Sequence, residues 1–150
     1  MNSENRIYDT FNEVLVKLFN DIMHIEEKAI ITEEFKDISN NDMHIIEAIG
    51  ITEPKNMSQV AKSLSVTVGT LTIAINNLVK KGYVDRVRSE KDRRVVYISL
   101  SDKGRKAFIH HAKFHKEMIQ ATINGLSTEE VNVLVKSLEN LVGFFRDWQH

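Results

Sequence analysis

The fold is decided by residues 67–100, which read TVGTLTIAINNLVKKGYVDRVRSEKDRRVVYISL. Thr67 is a helix-capping residue type, and apolar side chains follow it at helical spacing until Gly82 supplies a stop. The pattern predicts a helix from Thr67 to about Lys81. Its inner stripe consists of Leu71, Ala74, Ile75 and Leu78. The opposite face is small, polar and nearly free of acidic side chains.

A shorter helix is predicted directly before this one. Asn56 begins a capping pattern with the glutamine three residues on, and the helix extends through Leu64. Two short helices separated by a tight turn predict a helix-turn-helix. Another helix is predicted over residues 40–49, after a Ser-x-x-Asp cap at Ser39. Turn structure is expected in the connection at residues 51–56, which contains the only proline.

A basic hairpin follows the helix-turn-helix. Residues 83–88 and 95–100 have strand character, and residues 89–92 supply turn-forming side chains between them. Ten basic and four acidic residues fall between residues 80 and 106, although the chain as a whole has a formal net charge of −1. The positive field of this basic segment is local, and such a field attracts a polyanion to one surface of the protein. A solvated charged loop is the alternative for a charge run taken alone.

A helix-turn-helix followed by a hairpin is the winged-helix arrangement, so the predicted fold class is mainly α with a small β-hairpin wing. Its second helix fits the major groove of double-stranded DNA, and the wing fits an adjacent minor groove. A single exposed Asn or Thr is typical of any solvated helix. DNA binding is predicted only by the combination of capped helix, turn, polar-faced helix and basic hairpin in this order. The predicted DNA-binding residues are Thr67, Gly69, Thr70, Thr72, Ile73, Asn76, Asn77, Lys80, Arg88, Lys91, Asp92, Arg93 and Arg94.

Residues 66–105 resemble the MarR family of winged-helix transcriptional regulators. The matching motif positions are Leu78, Lys81, Gly82, Tyr83, Val84, Asp92, Arg94, Leu100, Ser101 and Gly104. The resemblance implies a dimeric repressor of a pseudo-palindromic operator, with Arg94 entering the minor groove and Asp92 orienting it. Ile73 departs from the family pattern, since many members have arginine there. This side chain offers only apolar contact, for example to a thymine methyl group.

Four strings, VTVGTLT, NNLVKKGY, RSEKDRRVV and FHKEM, are most similar to the FabT subgroup of that family. The similarity implies control of fatty-acid synthesis genes, with a long-chain acyl-acyl-carrier-protein as corepressor and therefore acyl carrier protein as a partner. Ile22, Ile46, Phe114 and Met118 are candidate residues for lining an acyl tunnel, and an ordinary core position is the alternative for each. No resident cofactor is predicted.

Long apolar stripes occupy both ends of the chain. The helix predicted over residues 7–31 and those that follow Ser101 and Ser127 present more apolar surface than a small central domain can cover, which predicts a homodimer. We expect one domain over residues 1–150. In it, about 1–35 and 103–150 form dimerisation helices, and about 40–101 form the DNA-binding lobe.

A zinc-responsive or small-molecule-responsive regulator is the alternative function. His111 and His115 are four residues apart and share a helix face. Together with Glu26 and His44 they resemble the ligand set of zinc-sensing members of the family, and such a set binds tetrahedral zinc without cysteine. A hydrogen-bonded or solvent-facing role for these histidines is the simpler interpretation.

Other classes of protein are disfavoured. The chain has no glycine-rich phosphate loop, no Gly-x-Ser-x-Gly elbow and no His-Glu-x-x-His motif, so it is not expected to be an enzyme. Zero cysteines exclude disulfides and thiolate metal sites. The polar N-terminus and the lack of a long apolar run predict a cytoplasmic protein with no membrane partner. An effector-binding module with a vestigial wing would carry acidic residues on the groove-facing positions, and these are absent.

Overall fold

The structure, a computed structural model, describes residues 3–32 and 34–148. It divides into two compact units, Met1–Ala112 and Lys113–His150. None of the described helices combines the length and the apolar composition that a membrane-spanning segment needs. The predicted fold class, mainly α with a small antiparallel wing, is confirmed.

The first unit begins with a nearly continuous helical segment. Helix α1 (Ser3–Asn12) passes through a six-residue π-helical stretch, Glu13–Leu18, into α2 (Phe19–Ile30). The helix predicted over residues 7–31 is therefore confirmed, whereas the π-helical stretch was not anticipated. No residue of α1 is buried, so this segment presents its apolar stripe to solvent in the isolated chain.

Three short helices follow, and each has the cap that the sequence predicts. They are α3 (Asn40–Ile49), α4 (Met57–Ser63) and α5 (Val68–Lys80). The side chains of Ser39, Asn56 and Thr67 accept hydrogen bonds from the backbone N–H groups of Asp42, Gln59 and Thr70 at 3.1, 2.8 and 3.1 Å. Because a cap satisfies orphan N–H groups of the first turn, these local contacts fix where each helix begins.

The sheet has three strands in the order β1-β3-β2. Strands β2 (Val84–Arg88) and β3 (Val96–Leu100) form the predicted antiparallel hairpin, with Arg86 opposite Ile98. Strand β1 (Lys55–Asn56) pairs with the other edge of β3. The sequence predicted only a turn in that connection, and that prediction was incomplete, because a two-residue strand leaves no alternating pattern of its own.

The core of the first unit lies between the helix-turn-helix and the sheet. The predicted inner stripe of α5 is largely confirmed, since Leu71, Ile75 and Leu78 are buried while Ala74 is half-buried. These side chains belong to one apolar cluster with α3, α4 and the inner face of the hairpin. The burial holds α5 in place and leaves its polar face outward.

A close backbone contact joins the hairpin to the next helix, α6 (Asp102–Ile123). Ser101 donates its hydroxyl to the carbonyl of Gly82 and accepts from the backbone N–H of Gly104. A Cβ atom on Gly104 would lie 2.1 Å from the carbonyl oxygen of Tyr83, well inside van der Waals contact. Glycine is therefore required at this position for steric reasons.

The second unit contains the end of α6 and the terminal helix α7 (Thr128–Trp148), separated by Gly125 with φ +80°. The predicted capping box is present, because Ser127 and Glu130 exchange side-chain to backbone hydrogen bonds of 3.2 Å each. No residue of α7 is buried. Its exposed apolar side chains include Val133, Val135, Leu138, Val142, Phe144, Phe145 and Trp148.

Candidate nucleic-acid interface

The outward face of α5 displays the residues that the sequence selected for the major groove. Gly69, Thr70, Ile73, Asn76, Asn77 and Lys80 are exposed, and Thr72 is half-buried. Two hydroxyl protons are already engaged, because Thr67 donates to Thr70 Oγ1 at 2.9 Å and Thr72 donates to the Val68 carbonyl at 2.8 Å. These two threonines therefore offer oxygen lone pairs rather than protons. Ile73 is 68% exposed, although it is apolar.

The wing tip holds one arginine in a defined orientation. Asp92 Oδ1 accepts from Arg94 Nε at 3.1 Å, Asp92 Oδ2 accepts from Arg94 Nη2 at 3.2 Å, and Oδ1 also accepts from the Arg94 backbone N–H at 3.1 Å. The hydrogen bonds from Arg94 hold the pKa of Asp92 below its ordinary value. The Arg94 side chain is nevertheless 90% exposed. Its remaining N–H donors are therefore accessible to a ligand.

A groove of about 630 Å³ separates α5 from the wing. Its walls include Thr72 and Asn76 from α5 and Arg86, Arg88 and Arg94 from the hairpin. The structure thus gathers in one groove residues that the sequence assigned to two separate elements. The predicted wing residues Lys91 and Arg93 are exposed beside it on the hairpin loop.

Arg86 was missed by the sequence analysis. It donates from Nη1 to Asn76 Oδ1 at 2.5 Å and so connects the hairpin to α5. The strand alternation contained a usable signal, because Arg86 and Arg88 are two residues apart and must share one face of β2. The sequence does not show, however, that this face of β2 is turned towards α5.

A polar cluster lies at the C-terminal end of α5. Lys81 Nζ lies 2.9 Å from Asp42 Oδ2, and the Tyr83 hydroxyl donates to Asp37 Oδ1 at 2.7 Å. Lys103 Nζ stands 4.3 Å above the Tyr83 ring. The hydrogen bond from the Tyr83 hydroxyl lowers the pKa of Asp37. The pKa of Tyr83 is raised, first by burial and then by the same hydrogen bond. The cluster holds the segment between α5 and β2 against the start of α3 and the first turn of α6.

The candidate effector residues fall in both units. In the first, Ile22 is half-buried and Ile46 is completely buried within the core cluster, the ordinary position that the sequence left open. In the second, Phe114 is half-buried and Met118 is exposed. Their role in lining an acyl site stays a prediction.

His111 is 2% exposed and lies between two carboxylates. Its Nε2 atom is 2.8 Å from Glu47 Oε1 and 3.4 Å from Glu26 Oε1. Of the other predicted zinc ligands, His44 is exposed on α3, and His115 follows His111 by one turn on α6. Glu47 was not predicted, because no periodicity connects residues so far apart in the chain.

Comparison with known proteins decides the family. A family model described as transcriptional regulator SarA/Rot matches residues 28–111, more than half of the chain. This chain belongs to the SarA/Rot family of transcriptional regulators. It is a winged-helix regulator of the MarR/SarA type, not an enzyme, and the matched residues include the whole helix-turn-helix and wing.

Individual relatives agree with this assignment. Streptococcus pneumoniae FabT, solved in complex with DNA, is 47% identical with a TM-score of 0.82, over 94% of this chain and 99% of that chain. The regulator PchR of Bacillus subtilis is 25% identical over 89% of this chain and 88% of PchR. SarZ of Staphylococcus aureus is 27% identical over 87% of this chain and 90% of SarZ.

Proposed function

We propose that this MarR/SarA-type regulator is a repressor that binds duplex DNA with α5 in the major groove and the wing in an adjacent minor groove. The observation that carries the proposal is the groove between α5 and the wing, where an acid-free helix face meets Arg86, Arg88 and Arg94. Arginine is favoured in narrow minor grooves by their strong negative potential. The similarity to S. pneumoniae FabT, which has been solved in complex with DNA, supports DNA as the ligand.

The binding form that we propose is a homodimer on a pseudo-palindromic operator. The apolar face of α7, which includes Leu138 and Phe145, is uncovered in the described chain, as is the stripe on α1. A two-fold dimer places two copies of α5 on half-sites one helical turn apart. We assign residues 1–35 and 103–150 to dimerisation and residues 40–101 to DNA binding, within a single domain.

The regulated genes that we propose are those of fatty-acid synthesis, with a long-chain acyl-acyl-carrier-protein as corepressor. The support is the 47% identity to FabT together with the FabT-like strings around α5 and the wing. A corepressor works by binding the DNA-competent conformation more tightly than the other and so shifting the population towards it.

One experiment tests both levels of this proposal. The purified protein selects binding duplexes from a randomised pool, and a gel shift on a selected duplex is then titrated with long-chain acyl-acyl-carrier-protein. We expect a two-fold symmetric sequence and tighter binding with the acylated carrier than with the unacylated carrier. Equal binding with both carriers contradicts the corepressor, and a pool without sequence enrichment contradicts operator recognition itself.

A zinc-responsive regulator is the second candidate, favoured by the position of His111 between Glu26 and Glu47. One imidazole and two carboxylates are ligand types that zinc accepts. On this hypothesis zinc tightens DNA binding and His111→Ala combined with His115→Ala abolishes the zinc effect. Full DNA binding by the wild-type protein in a strong chelator rejects zinc as the effector.

A further inference from the structure

Ile73 and Asn76 form a composite contact surface on α5. They are three residues apart, which places their side chains on the same helix face, about 5–6 Å apart at Cβ. Ile73 is 68% exposed, and Asn76 is exposed beside it. An apolar group and an amide therefore project together from the helix that we propose enters the major groove.

The orientation of the Asn76 amide is set by Arg86. Because Arg86 Nη1 donates to Asn76 Oδ1 at 2.5 Å, the carbonyl side of the amide faces the hairpin. The Nδ2 donors then face the other way, and within residues 3–32 and 34–148 no hydrogen bond from Nδ2 is present. Arg86 thus occupies one of the two lone pairs of Oδ1 and turns this oxygen towards the hairpin, whereas the Nδ2 donors remain for a ligand.

The usual pairing of asparagine with adenine needs both functions at once, because the amide oxygen accepts from adenine N6 while the amide nitrogen donates to N7. With its oxygen engaged by Arg86, Asn76 is suited instead to a base that presents an acceptor. Adenine, guanine and thymine all do so in the major groove, adenine through N7, guanine through N7 and O6, and thymine through O4. Of these three, only thymine also carries a methyl group, which Ile73 can contact.

We propose that Ile73 and Asn76 together read a thymine in each half-site, Ile73 contacting the C5 methyl group and Asn76 donating to O4. Arg86 is a positioning residue in this scheme, since it acts on the base only through Asn76. The inference rests on the proposed binding of α5 in the major groove. It identifies a base that the operator must contain and a reason for isoleucine at this position.

The test uses a duplex that the full-length protein has selected from a randomised pool. Each thymidine is replaced singly by deoxyuridine, which removes only the methyl group. We expect one position in each half-site where the replacement weakens binding about fourfold, the value of one buried methyl group. With Ile73→Ala the same replacement should have no further effect, whereas the matched control Val87→Ala, another exposed aliphatic residue, should keep the full sensitivity.

The role of Asn76 is tested at the same position with 5-methylcytosine paired to guanine. This base keeps the methyl group but replaces the O4 acceptor with an amino donor, so binding should weaken roughly tenfold. Arg86→Met should remove this discrimination, because the amide is then free to rotate, and Arg86→Lys should restore it. A purely structural role of Arg86 would lower the affinity for all duplexes equally.

The outcomes separate the inference from the proposed function. A protein that binds its selected duplex but tolerates deoxyuridine at every thymidine overturns the thymine contact and leaves DNA binding intact. Retained discrimination against 5-methylcytosine in Arg86→Met overturns the positioning role. A pool that shows no sequence enrichment overturns the proposed function and the inference together.

Discussion

Arg94 is exposed at the tip of the wing, yet it is not conformationally free. The fork formed by Asp92 restricts the guanidinium before any ligand is bound. A side chain that is already oriented loses less entropy on binding than a free arginine. The pair also reduces the positive charge of the wing only locally, because the basic residues around it outnumber the acidic ones.

Arg94→Ala is expected to weaken operator binding and to lower the slope of log Kobs against log salt by about 1, through loss of one phosphate-neutralising charge. Gel shifts or fluorescence anisotropy at several salt concentrations measure both effects. Lys113→Ala is the control, since it removes a positive charge from an exposed side chain outside the wing. An unchanged affinity and slope for Arg94→Ala would place this residue outside the interface.

Asp92→Asn keeps the size of the side chain but removes the charge that pairs with Arg94. If Asp92 acts by orienting the arginine, the variant binds the operator more weakly, even though a negative charge near the DNA has been removed. Simple electrostatics predicts the opposite sign, namely tighter binding. Affinity measured at one fixed salt concentration therefore distinguishes orientation from repulsion.

Tyr83 gives the folded state a dependence on alkaline pH. Its pKa is raised in the folded protein above the ordinary value of 10.0. The stability from its neutral form is therefore fully present below pH 10 and is lost as the pH rises further, because the unfolded chain ionises first. Tyr83→Phe should cost about 1 kcal/mol near neutral pH, since Asp37 is partly exposed, and should unfold with a shallower loss of stability above pH 10. Urea unfolding of both proteins at neutral and alkaline pH checks this. If the free energies of unfolding of the two proteins change with pH in parallel, Tyr83 is not the cause of the alkaline loss of stability.

At the scale of elements, the glycines in the first turns of α5 and α6 have different reasons to be glycine. A Cβ atom on Gly104 meets the Tyr83 carbonyl, whereas a Cβ atom on Gly69, in the first turn of α5, meets only Thr67 Oγ1 at 3.9 Å. The first glycine is needed for the fold. The second has no structural requirement in the free protein, which agrees with its predicted role in close approach to DNA.

Gly104→Ala is expected to lower the free energy of unfolding by several kcal/mol, because the clash is with backbone. Gly69→Ala should instead stabilise the protein by roughly 0.5–1 kcal/mol, as helical alanine does relative to glycine. If α5 approaches DNA closely, the same variant binds the operator more weakly. Thermal unfolding and gel shifts separate the two effects, and unimpaired DNA binding by Gly69→Ala would argue against close approach.

The elements that could be predicted from the sequence are those whose signals are local. The caps at Ser39, Asn56 and Ser127 lie within three residues of the groups they satisfy, so helix starts were predictable. Strand β1 was not, since its hydrogen bonds come from a strand some forty residues away. The contacts of Arg86 with Asn76 and of His111 with Glu47 depend on tertiary packing in the same way. The family resemblance therefore selected Arg94, which pairs with Asp92 within its own loop, whereas Arg86, which reaches across to α5, was missed.

At the scale of the whole molecule, exposed apolar side chains on α1 and α7 call for a partner surface. If α7 forms part of the proposed dimer interface, Phe145→Asp should shift the protein from dimer towards monomer, because a charge buried in an apolar interface is costly. Analytical ultracentrifugation measures the shift, and DNA affinity should fall with it, since two linked half-site contacts become one. Lys136→Asp, a charge change at an exposed lysine of the same helix, is the control. A dimer that survives Phe145→Asp unchanged would place the interface elsewhere.

Strand order has a consequence for the protein when it is not bound to an operator. Strand β2 is an open edge of the sheet, and an open edge is a template on which other chains can add strands. Here that edge carries Asp85, Arg86 and Arg88 within five residues. Charged side chains on an edge strand oppose intermolecular β-pairing, so the arginines assigned to DNA also protect the free regulator from aggregation. Neutralising them would therefore lower solubility as well as DNA affinity.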